Sequence, residues 1–536
     1  MTNRTLGRCR LVAVALVGGL LVTACGGGAG GESSDGEGGK TFQIGMVGER
    51  DGGGKPQRGG TLTFAAYAEA TSLDPAETIA SGSTGGSALA AVYDVLVRYD
   101  PEAQKYEPQL AKSLRHSDDH RTWTLTLRDG VTFSDGTPLD AEAVVWSINR
   151  YVEQGGSQAS LWSANVASME ATDPSTVVFE LQRSWPAFAY MLATGPGMIV
   201  SPSSVAGEKF TPVGAGPFTL SRYAPHEELI LKARTDYWGG KPYLNKLRFT
   251  WLKGAQAKLE TLNAGGVDVA FLRAPEVVTE AREAGYEGFM NLNSLGDVVT
   301  INHRQGRPGS DVRVRRALAY AINPEVTNQH SNSGKGMPGK ALFQDYSRWH
   351  TGTKPLPYDP AKAKKLLKTA RADGYDGRIT YLSPQIPAAK AEALALKAML
   401  EKVGFSVTID YVRSISEQIR RVYVKHDFDI ASGALSYTEA APYRRFFVSL
   451  HSDSQINAAG YDNQKMDQLI RKVQTATTEK AKRQVIAKIQ RQWNKTVPYA
   501  VLGASPTFVA WQENVHGITP TTYNLLLFGN AWKGSS

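Results

Sequence analysis

Residues with the chemistry for catalysis or coordination are few and scattered. His116 and His120 stand four apart with Asp118 and Asp119 between them, a spacing that on a helix would set two imidazoles on one face for a metal. They fall instead in HSDDHR, a polar turn ahead of an alternating strand, so no metal site is assigned. Gly38-Gly39-Lys40-Thr41 imitates the end of a phosphate-binding loop, but Ser34 stands where the first glycine is required and no apolar strand precedes it. The arginines of Asp311-Val312-Arg313-Val314-Arg315-Arg316 can be read as an anion site. The preferred reading is a helix with Val314, Leu318 and Ala321 inward and the arginines wet. No GxSxG elbow or HExxH helix occurs. The chain is therefore not expected to be an enzyme or to carry a cofactor or metal. An extracellular esterase or peptidase is the competing class.

Cysteine chemistry points elsewhere. The two cysteines are Cys9 and Cys25, so the body after Cys25 has no thiol for a disulfide, a zinc cluster or a nucleophile. Arg4, Arg8 and Arg10 precede an apolar run from Leu11 to Val22, and Val22-Thr23-Ala24-Cys25 places small residues before the cysteine. This looks like a bacterial lipoprotein signal over residues 1–24, with lipidation expected at Cys25. The run is too short for a membrane-spanning helix of roughly 20 residues. Two or more acyl chains anchor a protein stably. The mature protein is accordingly expected on the extracytoplasmic face, periplasm or cell-wall side, tethered to the cell membrane through that lipid. Residues 25–58, beginning GGGAGGESSDGEGGK, read as a flexible tether, within which FQIGMV suggests a short edge strand. The formal charge of +9 falls to +6 without the three leader arginines. No basic stripe interleaved with aromatics is visible, and no nucleic-acid partner is expected.

The elements must then form a folded body large enough to divide, since 536 residues at 42% hydrophobic content support two or more domains. Between Leu110 and Arg150, Trp123, Leu125 and Leu127 alternate with threonines and predict a strand. Asp129-Gly130 predicts a turn into a returning strand at Val131 and Phe133. Asp140 predicts the N-cap of a helix through Tyr151. Further predicted elements are a strand at 59–64, a helix over 87–97, and a turn Val213-Gly214-Ala215-Gly216-Pro217-Phe218 with glycine-only backbone. A helix is predicted to start at Tyr358-Asp359-Pro360, and another to run from Pro387 to a stop at Gly404 ahead of a buried strand over 405–412. A strand over 427–431 and two final helices from Gln464, broken near 475–478, complete the reading.

Taken in order, the Leu73-Asp74-Pro75 turn, LRDGVTFSDG with its WSINR helix, VGAGPF, YWGGKP, DVRVRRALAYAIN and YDPAKAKKLL resemble the family 5 solute-binding proteins of ABC importers over roughly Gly59 to Trp511. The resemblance implies an α/β, two-lobed periplasmic-binding-protein-like fold with two crossing segments, near Leu295 to Asn302 and near Gly503 to Phe508. It implies a first lobe over 59–298 with an inserted subdomain at about 100–210, a second lobe over 299–506, and a return to the first lobe over 507–536. A small solute, peptide or peptide-like, would be enclosed between the lobes and passed to ABC permease membrane subunits. The protein is expected to be monomeric. In relatives the loop carrying Ile79 and Ser81 borders the ligand. The segment after the 427–431 strand commonly reads GWxxDxxDP, its aspartate pairing with the ligand's amine. Here it reads Gly433-Ala434-Leu435-Ser436-Tyr437-Thr438-Glu439, with Ala434 for the tryptophan and Tyr437 for the aspartate. A neutral phenol cannot replace a carboxylate opposite an ammonium group, and Glu439 is the substitute within reach unless it is merely solvated. A saccharide, an opine-like compound or a metal chelate, or a ligand-sensing lipoprotein without transport, stay open as alternatives.

Overall fold

The computed structural model describes residues 42–48 and 54–534. The leader, Cys25 and the tether as far as residue 41 lie outside the described residues. A short strand β1 (Gly45–Val47) and β2 (Thr61–Ala65) lead to helix α1 (Gly86–Tyr93) and the hairpin of β3 (Val97–Asp100) and β4 (Lys105–Pro108). Then come β5 (Ala111–His116), β6 (Thr122–Leu127), α2 (Ala141–Glu153), α3 (Ala159–Ser163), β7 (Val166–Asp173), β8 (Thr176–Leu181), the single turn α4 (Ala189–Leu192) and the small hairpin β9 (Val205–Ala206) and β10 (Lys209–Phe210). The chain continues through β11 (Phe218–Ala224), β12 (Glu228–Ala233), β13 (Lys246–Thr250), α5 (Ala255–Asn263), β14 (Val269–Leu272) and α6 (Pro275–Glu283) into the long β15 (Glu287–Ile301). Beyond it lie α7 (Val312–Ala321), α8 (Pro324–Ser331), β16 (Met337–Pro338), α9 (Pro360–Ala372), β17 (Arg378–Pro384), α10 (Pro387–Lys402) and β18 (Ser406–Val412). Helix α11 (Ile415–Ile419), β19 (Ile430–Gly433), α12 (Pro442–Leu450), α13 (Gln464–Thr475) and α14 (Glu479–Thr496) precede β20 (Tyr499–Trp511).

One sheet connects the two lobes, in the order β11-β12-β13-β2-β14-β20-β15-β19-β17-β18, with β1 on β15 and β16 on β20. Its centre is the antiparallel pair β15 and β20, which belongs to both lobes and is buried almost throughout. These strands are the crossing segments. Their ladder is regular from Glu287 opposite Trp511 to Asn293 opposite Ser505, then breaks and resumes at Asp297 opposite Gly503. Within the break Leu295 has φ 53°, a conformation costly for a leucine.

The predicted alternation in β6 holds, with Trp123, Leu125 and Leu127 buried and the threonines half-exposed, each large apolar side chain contributing about 1.5–3 kcal/mol. The expected hairpin with 131–133 does not form. Strand β6 is already paired on both edges, Leu125 opposite Leu114 of β5 and Val177 of β8, so no edge is left. Residues 131–139 close a tight loop instead, Leu139 donating to Val131 O at 2.9 Å. Asp140 does cap α2, accepting from Ala143 N at 2.9 Å.

Three further expectations are corrected. Gly214 and Gly216 do not have left-handed backbone; a Cβ there would stand 2.4 and 2.5 Å from the Val92 and Ala91 carbonyl oxygens, so close approach to α1 requires them. Strand β18 is an edge strand with Ser406 and Thr408 exposed, because it pairs with β17 alone. Arg315 is not wet but 8% exposed, donating to the carbonyls of Gly309, Ser310 and Thr496 at 2.7 to 3.0 Å, and burial pushes its pKa down to about 10.

Beneath the sheet the first lobe packs Leu62, Phe64, Val269 and Phe271, and the second packs Val299, Leu318, Tyr381 and Leu400. A third core joins the four-stranded sheet β5-β6-β8-β7 to helices α12, α13 and α14 of the second lobe. There Trp185 meets Tyr443 edge-on at 5.4 Å, and Asn165 Oδ1 accepts from Gln474 Nε2 at 2.6 Å. The lobes therefore touch away from the crossing strands as well as through them.

Candidate functional site

Between the lobes lies a cavity of about 890 Å³, the size of a small-solute site. Strand β15 supplies one wall through Phe289 and Asn291. Residues 42–45 lie beside it because β1 adds to β15, Gly45 opposite Met290. The first lobe contributes Tyr99 and the β3–β4 turn, together with Thr521, Thr522 and Tyr523. The second lobe contributes the loop Asp345 to Arg348 and the segment Thr438, Glu439 and Ala440. Arg348 Nη1 reaches Gln104 Oε1 at 3.0 Å, a direct hydrogen bond from one lobe's loop to the other's hairpin.

The expected site residues separate into three groups. Ile79 is 48% exposed on its loop, while Ser81 is buried and its hydroxyl is shared with Thr84 at 2.7 Å. Neither lines this cavity; their loop packs on Asn524, the residue after the Thr521–Tyr523 wall, where a Cβ on Gly82 would stand 1.9 Å from Asn524 O. Gly433 ends β19 opposite Val298, and Ala434 is exposed. Leu435, Ser436 and Tyr437 follow the break in β15. Their amides donate to Leu295 O (3.0 and 3.1 Å) and Ser294 O (2.8 Å), so the irregular crossing strand and the site segment satisfy one another's backbone.

Tyr437 turns away from the cavity. Its ring is fully buried against Phe343 and Phe446, with centroids 6.0 and 4.8 Å away, and its hydroxyl is 2.8 Å from Ser449 Oγ. Burial holds its pKa well above the ordinary phenol value. Glu439, by contrast, lines the cavity. Its side chain is 11% exposed, which corrects the solvated alternative. Oε1 accepts from Ser347 Oγ at 2.7 Å, and Oε2 has no hydrogen-bond partner. Arg348 Nε lies 3.8 Å from Oε2, an ion pair too long for a hydrogen bond. The guanidinium and the Trp349 indole instead donate to the Glu439 carbonyl, at 2.7 and 2.9 Å. Burial raises the Glu439 pKa against the lowering effects of Ser347 and Arg348.

Tyr99, Arg348 and the Thr521–Tyr523 wall were missed by sequence reasoning. Tyr99 OH, Arg348 Nε and Thr522 Oγ1 are, like Glu439 Oε2, buried without a hydrogen-bond partner, so unused hydrogen-bonding capacity gathers around this cavity. The readable signal was the polar Thr521-Thr522-Tyr523-Asn524 just ahead of the apolar run from Leu525 to Phe528. His116 is the last residue of β5, opposite Trp123, and not part of the expected turn, which begins after it and holds His120; the two ring centroids are 4.1 Å apart, with His116 packed on Trp123. No helix of the described residues is long and apolar enough to cross a membrane.

Comparison with known proteins places this geometry. The chain is 26% identical over 441 residues to the probable D,D-dipeptide-binding periplasmic protein DdpA of Escherichia coli K12, covering 79% of this chain and 84% of that one. It is 26% identical to the nickel-binding periplasmic protein of the same organism, over 74% of this chain and 80% of that one. The fold is similar to the ABC transporter-associated periplasmic binding protein DppA of Helicobacter pylori, solved with the peptide STSA, with TM-score 0.76 and 23% identity over 89% of this chain and 99% of that one. Residues 105–457 match the family described as bacterial extracellular solute-binding proteins, family 5 Middle. On that match, which spans more than half its length, the chain belongs to family 5 of the bacterial extracellular solute-binding proteins.

Proposed function

We propose that this protein is a lipid-anchored solute-binding protein that captures a peptide or peptide-like solute between its lobes and delivers it to an ABC permease. The observation that carries the solute class is Glu439, a carboxylate in the cavity wall with one oxygen that accepts no hydrogen bond and has only the long ion pair to Arg348. An ammonium group reaching Oε2 would complete its hydrogen bonding, and a charge-assisted bond of this kind contributes about 1.5–3 kcal/mol. Names of relatives support the class: DdpA and the peptide-bound DppA are peptide binders by name or complex, although a nickel-binding protein is also similar. The leader Arg4, Arg8 and Arg10, the apolar run and Cys25 support anchoring outside the cytoplasm, with a monomer delivering the solute. The two crossing strands support the division at about 298 and 506, with the four-stranded sheet as the inserted subdomain.

The test is calorimetric titration with Ala-Ala-Ala and its N-acetyl form, using the native chain and Glu439→Gln. The free-amine peptide is expected to bind at least about tenfold more tightly than the blocked one, and Glu439→Gln to remove that difference. Because Glu439 must be ionised to pair, affinity is expected to fall on acidification, beginning above the pH at which an ordinary glutamate titrates. Equal binding of both peptides would exclude Glu439 as the amine site. Binding of neither, with a saccharide or chelate bound instead, would exclude the peptide class.

A further inference from the structure

The short strand expected in FQIGMV is present, and neither the fold nor the solute reading accounts for where it sits. Strand β1 has three residues and, among the described residues, pairs with β15 alone: Gly45 opposite Met290, Met46 opposite Phe289 and Val47 opposite Gly288. One edge of β15 is covered by β20 along most of its length. The other edge is divided. Strand β1 takes residues 288–290, Tyr437 bridges to Ser294, and β19 takes residues 298–301. Phe289, the partner of Met46, lines the solute cavity, and so do Phe42, Gln43, Ile44 and Gly45. Strand β1 therefore covers the part of the β15 edge that faces the cavity, an edge to which an extended solute backbone would otherwise add as a further strand.

A single side chain anchors it. Phe42 is 1% exposed, in the core of Met290, Leu292 and Phe508 on which Tyr346 of the second lobe packs, whereas Gln43 is exposed and residues 44–47 are half-buried. A three-residue strand on one sheet edge stands at the low end of local stability, and Gly45 has φ 136°, a conformation that glycine adopts and other residues avoid. The segment is thus held lightly. Because the chain itself keeps it beside the cavity, its effective concentration there is roughly millimolar, enough to compete with a solute.

We propose that residues 42–47 are a built-in occupant of the solute cleft: β1 lies on the β15 edge, with Phe42 between the lobes, until an extended solute displaces it. The identity of that competitor rests on the peptide-like reading. Solute binds only the fraction of molecules in which the segment has left, so the native chain binds more weakly than its cleft allows.

The experiment titrates the full chain, Phe42→Asp and Gly45→Pro with Ala-Ala-Ala by calorimetry, and follows hydrogen exchange at residues 45–47 of the native chain. The first variant removes the anchor; the second breaks the strand, since proline cannot adopt the Gly45 φ. Both are expected to bind about tenfold more tightly than the native chain, and bound peptide is expected to speed exchange at residues 45–47. Unchanged or weaker binding in the variants, or exchange at residues 45–47 that slows or stays the same with peptide bound, makes the segment a fixed wall and overturns the proposal. A second ligand, acetyl-FQIGMV-amide, separates the two claims. It is expected to bind both variants saturably and the native chain at least about tenfold more weakly. If it does so while Ala-Ala-Ala binds none of the three, the occupant stands and the reading of a free-amine peptide solute falls. If Ala-Ala-Ala binds all three equally and the hexapeptide binds none, the occupant falls and the peptide reading stands.

Discussion

At the scale of the residue, Tyr437 stands where the family pattern has an aspartate, and the carboxylate that faces the cavity is Glu439. Tyr437 fills core space, and Glu439 presents charge to the cavity two residues later. Tyr437→Phe is expected to remove one buried hydrogen bond to Ser449, lowering unfolding free energy by about 1 kcal/mol, while leaving solute affinity unchanged. Tyr437→Asp is expected to destabilise by several times that and to create no amine site, because it buries a carboxylate against Phe343 and Phe446. Denaturant midpoints and titrations on the two variants check both statements. The absence of the aspartate was legible in the sequence, and so was Glu439 as the carboxylate nearest to it, which the structure places in the cavity wall. The direction of the Tyr437 ring was not, because it depends on Phe343, nearly a hundred residues away.

At the scale of the element, local patterns located most strands and helices, and competition for edges decided the rest. Strand β6 lost its expected hairpin to β8, a partner some fifty residues on that no turn signal announces. The break in β15 was likewise invisible, although it sets the backbone of residues 435–437 and places Asp297 opposite Gly503. Asp297 shares a small pocket with Glu392 of α10, whose Oε1 accepts from Tyr381 OH at 2.7 Å. Burial pushes Asp297 up to about 6, and burial with the Asp297 charge pushes Glu392 up to about 7. The folded state thus keeps protons that the unfolded chain releases at about pH 4. Through these groups stability is greatest at the acid end, falls as pH rises from about 4 to about 7, and is level above that. Asp297→Asn and Glu392→Gln are expected to flatten this dependence and to be more stable than the native chain at pH 8. Denaturant midpoints across the window check it; a native-minus-variant difference that grows with pH would contradict the sign.

At the scale of the molecule, the ordered motifs made the two-lobed architecture legible, because together they mark successive elements along most of the chain. What they did not show is the contact between the four-stranded sheet β5-β6-β8-β7 and helices α12 to α14. Asn165 sits at its centre, receiving Gln474 and the Tyr443 hydroxyl. Asn165→Ala leaves both without that acceptor, favours separated lobes, and is expected to weaken solute binding about tenfold with a larger radius of gyration by small-angle scattering. An unchanged radius and affinity would show that this contact does not hold the lobes together. The central claim, that one solute is gripped by both lobes at once, is tested most directly by hydrogen exchange with and without saturating Ala-Ala-Ala. Protection is expected to rise together at residues 438–440 of the second lobe and at residues 99–104 and 521–523 of the first. Protection confined to one lobe, with bound peptide confirmed, would contradict it.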